Sequence, residues 1–137
     1  MDVWEKLYNE AKALYNPHEV SPFVYAEHVV SALEAENGQI YTGYCFEATC
    51  GVFHLCAERA ATFNMYQQSK QTKIKRIIAF RNEAPSGVGG MPCGACREFL
   101  MQLNAENADT EILVDYNTRE TITLNELIPN WWGKERI

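Results

Sequence analysis

The chain reads as an α/β domain built on a mixed sheet, in two or three layers, and three observations lead there. Segments with helical periodicity alternate with short apolar runs of strand length, in the order helix, hairpin, helix, strand, helix, strand. Asn37-Gly38 stands between two extended runs, the strongest short-range hairpin signal. A length of 137 residues, without internal repeat, linker or low-complexity stretch, suffices for one hydrophobic core but not two, so residues 1–137 are read as a single domain.

Each element has a local reason. Trp4, Leu7, Tyr8, Ala11, Leu14 and Tyr15 fall at the three-and-four spacing of one helical face, with Asp2 placed to cap the helix and Pro17 to end it. That aromatic stripe is read as core packing. Phe23 to Ala35, rich in Val and Tyr, forms the first hairpin arm, and Ile40, Tyr41 and Tyr44 toward Phe46 form the return. Leu55 to Tyr66 reads as a helix with Ala57, Ala60, Ala61 and Met65 inward, and Ile74 to Phe80 as a buried strand. Asn82 to Met91, with Pro85, Gly87, Gly89 and Gly90, is a loop; its glycines lack the register and the lysine of a phosphate cradle. A helix from Cys93 to about Asn104 follows. Ile112, Val114 and Tyr116 then alternate in a strand, and Thr121 to Thr123 add a short one. A brief helix over Asn125 to Ile128 leads to Pro129 and the Trp131-Trp132 pair, which is expected to seek an interface.

Composition narrows the function. The formal net charge of −6 argues against a polynucleotide partner, since such proteins present a basic face. The one basic cluster, Lys70 to Arg76, is read as a solvated helix end. No apolar run approaches the roughly 18 residues that span a bilayer, and the acidic start Met1-Asp2-Val3-Trp4-Glu5 lacks a signal-peptide core. A cytoplasmic protein with no membrane partner is therefore expected. There the odd count of five cysteines (45, 50, 56, 93, 96) suits free thiols better than disulfides. Cys50 is read as a packed thiol, and His18 and His28 as surface or core polar residues without metal-ligand spacing.

The chemistry lies in two strings, Cys56-Ala57-Glu58 and Pro92-Cys93-Gly94-Ala95-Cys96, each at a predicted helix start. Helix N-termini carry unpaired N–H groups and partial positive charge, which favour the thiolate that binds metal. Cys93 and Cys96, three apart, share one face of a first turn. Pro92 suits helix initiation. With Cys56 they make three ligands for zinc, leaving a fourth position open, as catalytic zinc sites do. Glu58 stands in the first turn as a general acid/base beside that position. Three thiolates around a divalent ion leave a charge of about −1. Arg59 and Arg97, directly after the two strings, are placed to offset it by hydrogen bonding to sulfur. His54, two residues before Cys56, is a possible fourth ligand of a closed site.

Cys56-Ala57-Glu58-Arg59 with Pro92-Cys93-Gly94-Ala95-Cys96-Arg97 resembles the cytidine deaminase family, and the resemblance extends from about Phe23 to Pro129. It implies a three-layer domain, a mixed sheet of about five strands with helices on both faces. It implies one zinc ion per chain, with a zinc-bound hydroxide attacking C4 of a cytosine ring. Glu58 would take the water's proton, then protonate N3 and the departing amine. The backbone at Ala57 would contact the base. It also implies a homo-oligomer, a tetramer or a dimer, and a free nucleoside substrate, since three cysteines typify the nucleoside branch.

Two departures fall on substrate recognition. The family's sugar-binding Asn-x-Glu retains its glutamate as Glu47, nine residues before Cys56, but Cys45 replaces the asparagine. A thiol is a much weaker hydrogen-bonding partner than an amide. Glu27 stands where the family packs an aromatic residue on the substrate. These changes admit a narrower alternative, a blasticidin S deaminase with the same reaction on a cytosine-bearing antibiotic. A non-enzymatic zinc module closed by His54 is the other alternative. A Cys93/Cys96 redox dithiol would leave Cys56 and Glu58 unexplained.

Overall fold

Asp2 caps the first helix from its carboxylate, which accepts the Glu5 N–H at 2.8 Å, and α1 runs over Val3–Lys12. The computed structural model describes residues 1–137. After α1 come β1 (His18–Ser21), β2 (Val24–Ala35), β3 (Ile40–Ala48), α2 (Ala57–Ser69) and β4 (Ile74–Phe80). They are followed by α3 (Gly94–Leu103), β5 (Glu111–Asp115), β6 (Glu120–Thr123) and α4 (Leu124–Leu127). α1 stops short of Leu14 and Tyr15, which close tight turns onto Ala11 and Lys12 and pack half-buried at the core's rim.

The strands form one mixed sheet around β2. β3 lies antiparallel along one edge of β2; β1 and β4 share the other edge, opposite its first and second halves. β5 joins β4 in parallel, and β6 joins β5 antiparallel. The sheet thus has six strands and not about five. The additional strand, β1, escapes the sequence pattern because His18-Glu19-Val20-Ser21 is largely exposed and has no buried row; its pairing comes from the backbone of β2. At the hairpin end Gly38 takes φ +89°, a conformation glycine adopts without cost.

Helices cover both faces, giving the three layers. Trp4, Leu7 and Ala11 of α1 pack on Val30, Ala32, Ile78, Phe80 and Leu113. On the opposite face Ala61 and Met65 of α2, with Leu100 and Met101 of α3, pack on Leu33, Ile77 and Ile112. Each fully buried Val, Leu, Ile or Met among them contributes roughly 1.5–3 kcal/mol. No helix is long and apolar enough to cross a membrane.

Two expectations about the surface change. Lys70 ends α2 in the left-handed region (φ +62°), but Lys73 pairs with Glu36 and Glu106, and Arg76 with Glu34, so these cations are matched by acids. The tryptophan pair splits. Trp131 is buried in the α3-side core while Trp132 is exposed, and both indoles donate to Glu98.

α2 lies unusually close to the sheet. A Cβ at Gly43 would come within 2.3 Å of the Ala61 nitrogen and 2.7 Å of the Ala60 carbonyl carbon, both backbone atoms that cannot swing aside. Gly43→Ala is therefore expected to lower stability by about 1–3 kcal/mol in urea unfolding. Gly51→Ala, which meets open space, is expected to leave the midpoint in place.

Candidate active site

Two helices begin at one point. Cys56 is the N-cap of α2 and Cys93 the N-cap of α3, both extended in backbone and neither using its side chain as a cap. The thiols thus stand where Ser or Asp usually accepts N–H groups, and α2 starts two residues later than expected. Pro92 precedes the cap and does not open the helix. Cys96 follows in the first turn of α3. The Cys56 and Cys93 sulfurs are 3.6 Å apart, those of Cys93 and Cys96 3.7 Å, and all three lie within 4.8 Å of one another. Zn–S bonds of about 2.3 Å in a tetrahedron put sulfurs about 3.8 Å apart, so the two separations through Cys93 match zinc, and the third, within 4.8 Å, needs at most about 1 Å of closure.

The helix starts alone do not favour the thiolate at two of the three donors, contrary to the expectation from sequence, because burial outweighs them. Burial pushes the Cys96 thiol far up, with Glu58 and the other two thiols adding to the effect. Burial also raises Cys56, against a hydrogen bond from Arg59. At Cys93 burial opposes ionisation, yet the nearby Cys96 and Ala95 N–H groups, though not placed to make cap hydrogen bonds, act with the neighbouring thiols to bring it below the usual thiol range. Three thiolates require more positive charge than Arg59 alone provides, and a divalent cation supplies it. Arg59 reaches Cys56 Sγ at 3.5 Å and the His54 carbonyl at 3.4 Å. Arg97 does not reach a sulfur. Its guanidinium donates to the Pro92 carbonyl at 2.8 Å and the Leu127 carbonyl at 3.0 Å, because the first turn of α3 points it at the incoming chain and α4. It braces the Cys93 segment through backbone.

Glu58, the second residue of α2, is 7% exposed. Burial raises its carboxyl pKa, with its own backbone N–H and the Arg59 charge opposing. It borders a cavity of about 240 Å³ together with Cys56, Ala57 and Cys93. Cys96 lies fully buried, outside the cavity lining. Cys45 and Glu47, from β3, line the same cavity, so the residues expected to contact base and sugar, Ala57, Cys45 and Glu47, open onto one space. His54 also lines it, but its ring nitrogens stay outside the donor cluster, which holds the three cysteines alone. Gly89, Gly90 and Met91 form another wall, where a Cβ on Gly90 would strike the Ala79 carbonyl at 2.9 Å. Cys50 is exposed and not packed.

One residue was missed. The register of β2 against β3 jumps between Ala26 and Val30, a bulge with Glu27 at φ +65°. The bulge sends Glu27 toward His18, 3.5 Å away, and out of the cavity lining; it turns His28 in instead. His28 Nε2 lies 3.3 Å from Glu47, its Nδ1 3.3 Å from Cys45 Sγ, and Tyr25 packs at 4.8 Å between ring centroids. Glu27 thus lies outside the cavity lining, and His28 takes its place there. Alternation places residues 27 and 29 opposite 26 and 30, and only the inserted bulge brings 28 into the site.

No family model matches the chain. In sequence it is similar to the cytidine deaminase of Sporosarcina psychrophila, 30% identical over 141 residues, covering 100% of this chain and 96% of that protein. It is 28% identical over 109 residues to the cytidine deaminase of Halalkalibacterium halodurans, covering 78% of each. In structure it is similar to cytidine deaminase from Mycobacterium tuberculosis (TM-score 0.72, 22% identity, 97% of this chain and 99% of that one). The enzyme from Mycobacterium leprae gives a TM-score of 0.73 at 22% identity, over 95% and 100%. At these identities the structural likeness concerns the fold.

The sulfur cluster carries a direct expectation. Elemental analysis of the purified protein is expected to find one zinc per chain. Cys96→Ser, which removes the sulfur beneath the other two, is expected to lose most of it, by at least about tenfold in affinity.

Proposed function

Because this chain belongs to the cytidine deaminase family, we propose that it hydrolyses the exocyclic amino group of a free aminopyrimidine nucleoside, cytidine or deoxycytidine, releasing ammonia and the uracil nucleoside. The observation that carries the reading is the shared cavity: two of the three clustered sulfurs and the buried Glu58 carboxyl border one space large enough for a pyrimidine. Cys56, Cys93 and Cys96 would hold the metal. A zinc ion there supplies Lewis acidity and makes water a competent nucleophile near neutral pH.

The remaining chemistry falls to the protein. Glu58 takes the proton from the attacking water, passes it to N3 of the ring and then to the leaving amine, so one carboxyl serves as base and then acid. Its burial excludes bulk water from that transfer. Arg59 holds Cys56 Sγ and moderates the charge of the thiolates, and the backbone at Ala57 borders the ring. Cys45 and Glu47 contact the sugar side, with His28 bridging them. Exposed Phe23, Val52, Phe53 and Phe63 support a homo-oligomer, a tetramer or a dimer.

A second reading, the same reaction on blasticidin S, is favoured by the Cys45–His28 contact where an amide would serve a ribose. The closed zinc module is disfavoured by His54 lying outside the donor cluster.

Glu58→Gln preserves shape and removes the proton carrier. Its deamination rate is expected to fall by about 10²–10⁴-fold with zinc content retained, followed by ammonia release and the loss of cytosine absorbance. Full turnover by the variant would overturn the assignment of Glu58.

A further inference from the structure

The bulge in β2 brings into the cavity an imidazole that the deamination chemistry does not use. Ala26 pairs with Phe46 and Val30 with Tyr44, so three residues of β2, 27 to 29, oppose the single Cys45 of β3. Bulges of this kind re-aim a side chain. The excess chain is fixed from outside the cavity: the Glu27 carbonyl accepts the Asn16 N–H at 3.1 Å, and the Glu27 carboxylate lies 3.5 Å from His18. His28 is left facing in. It lines the cavity with Cys56, Glu58 and Cys93, its side chain 11% exposed and its ring packed on Tyr25.

The imidazole is poorly engaged where it stands. Cys45 Sγ lies 3.3 Å from Nδ1 and 3.5 Å from Nε2, so the sulfur rests against the ring and is aimed at neither nitrogen alone. Burial pushes the Cys45 thiol up, so it stays neutral near neutral pH and packs as a small apolar wall. Glu47 is 3.3 Å from Nε2, beyond the about 2.7–3.2 Å of an N–H···O hydrogen bond. That carboxylate is half exposed and belongs to no other ion pair. A neutral imidazole protonated at Nε2 donates there, and a carboxylate only accepts. One hydroxyl group between them satisfies both: its oxygen accepts from Nε2 and its hydrogen goes to Glu47.

We propose that His28 is a specificity residue for the sugar: with Glu47 it binds a ring hydroxyl of the nucleoside, a role the Cys45 thiol cannot fill. This rests on the deamination reading above. His28 and Glu47 line the cavity yet stand outside the sulfur cluster, so they are free to contact the part of the substrate that does not react. Apart from Glu58 and the thiols, the other polar side chains of the lining are His54 and Arg81, and neither stands beside a carboxylate. The His28–Glu47 pair is therefore the one place in the lining where a nitrogen donor meets a carboxylate. A hydroxyl is neutral, in keeping with a free nucleoside and an acidic chain.

The test compares cytidine with 2′,3′-dideoxycytidine as substrates of the zinc-loaded full chain, of His28→Leu and of His28→Gln. The wild type is expected to favour cytidine in kcat/KM by about tenfold or more, as for hydrogen bonds to a buried donor and a charged acceptor. In His28→Leu that ratio is expected to fall at least about fivefold, mainly through the KM of cytidine. His28→Gln keeps an N–H donor and is expected to recover part of the ratio. An imidazole that only packs the bulge would cost both substrates alike and leave the ratio in place. A wild type indifferent to the ring hydroxyls, a ratio unmoved in His28→Leu, or a ratio in His28→Gln no higher than in His28→Leu would overturn the inference while deamination stands. Ammonia from neither substrate would overturn the deamination reading and this inference with it.

Discussion

Two helices that start within sulfur contact of each other set the terms for everything else in this fold. α2 is pressed onto the sheet where Gly43 offers no side chain, and α3 is held on the same face through Leu100 and Met101. Their N-caps, Cys56 and Cys93, then meet at 3.6 Å. Neither thiol is a good cap, so both helix starts give up the hydrogen bonds that Ser or Asp would provide, a cost of about 0.5–2 kcal/mol each. Stability yields to chemistry there, and the cores on both faces of the sheet offset the loss.

The same convergence concentrates negative charge. Cys96 and Glu58 are both nearly inaccessible, and burial disfavours the charged form of each. Arg59 is the one cation reaching the sulfurs. An arrangement of this kind is unfavourable alone and becomes favourable with a divalent ion among the thiolates, which couples metal uptake to the order of both helix starts. Glu58 is left over, close to the sulfurs and without a charged partner of its own among the ion pairs.

Much of this was legible in the residues because it is local. Helical spacing located α1, α2 and α3, the Asn37-Gly38 pair located the hairpin, and the two cysteine strings located the cluster to the residue. What was not legible depends on pairing between distant segments. β1 has no pattern of its own and exists because β2 offers it an edge. The bulge at 27–29 exchanges Glu27 for His28, a change that a count of two along a strand cannot anticipate. Arg97 directly follows Cys96, yet the path of α4 captures its guanidinium before any sulfur does. Cys50, which its sequence context presents as a packed thiol, lies on an exposed bend beyond β3.

The central claim is that the cluster holds a metal with three sulfurs and keeps one position open beside Glu58. X-ray absorption and optical spectroscopy of the cobalt-substituted protein test it most directly. The account predicts three sulfur donors and one light donor that exchanges with solvent or is displaced by an added anion. A fourth, non-exchangeable nitrogen from His54 would contradict it and make the site a structural one.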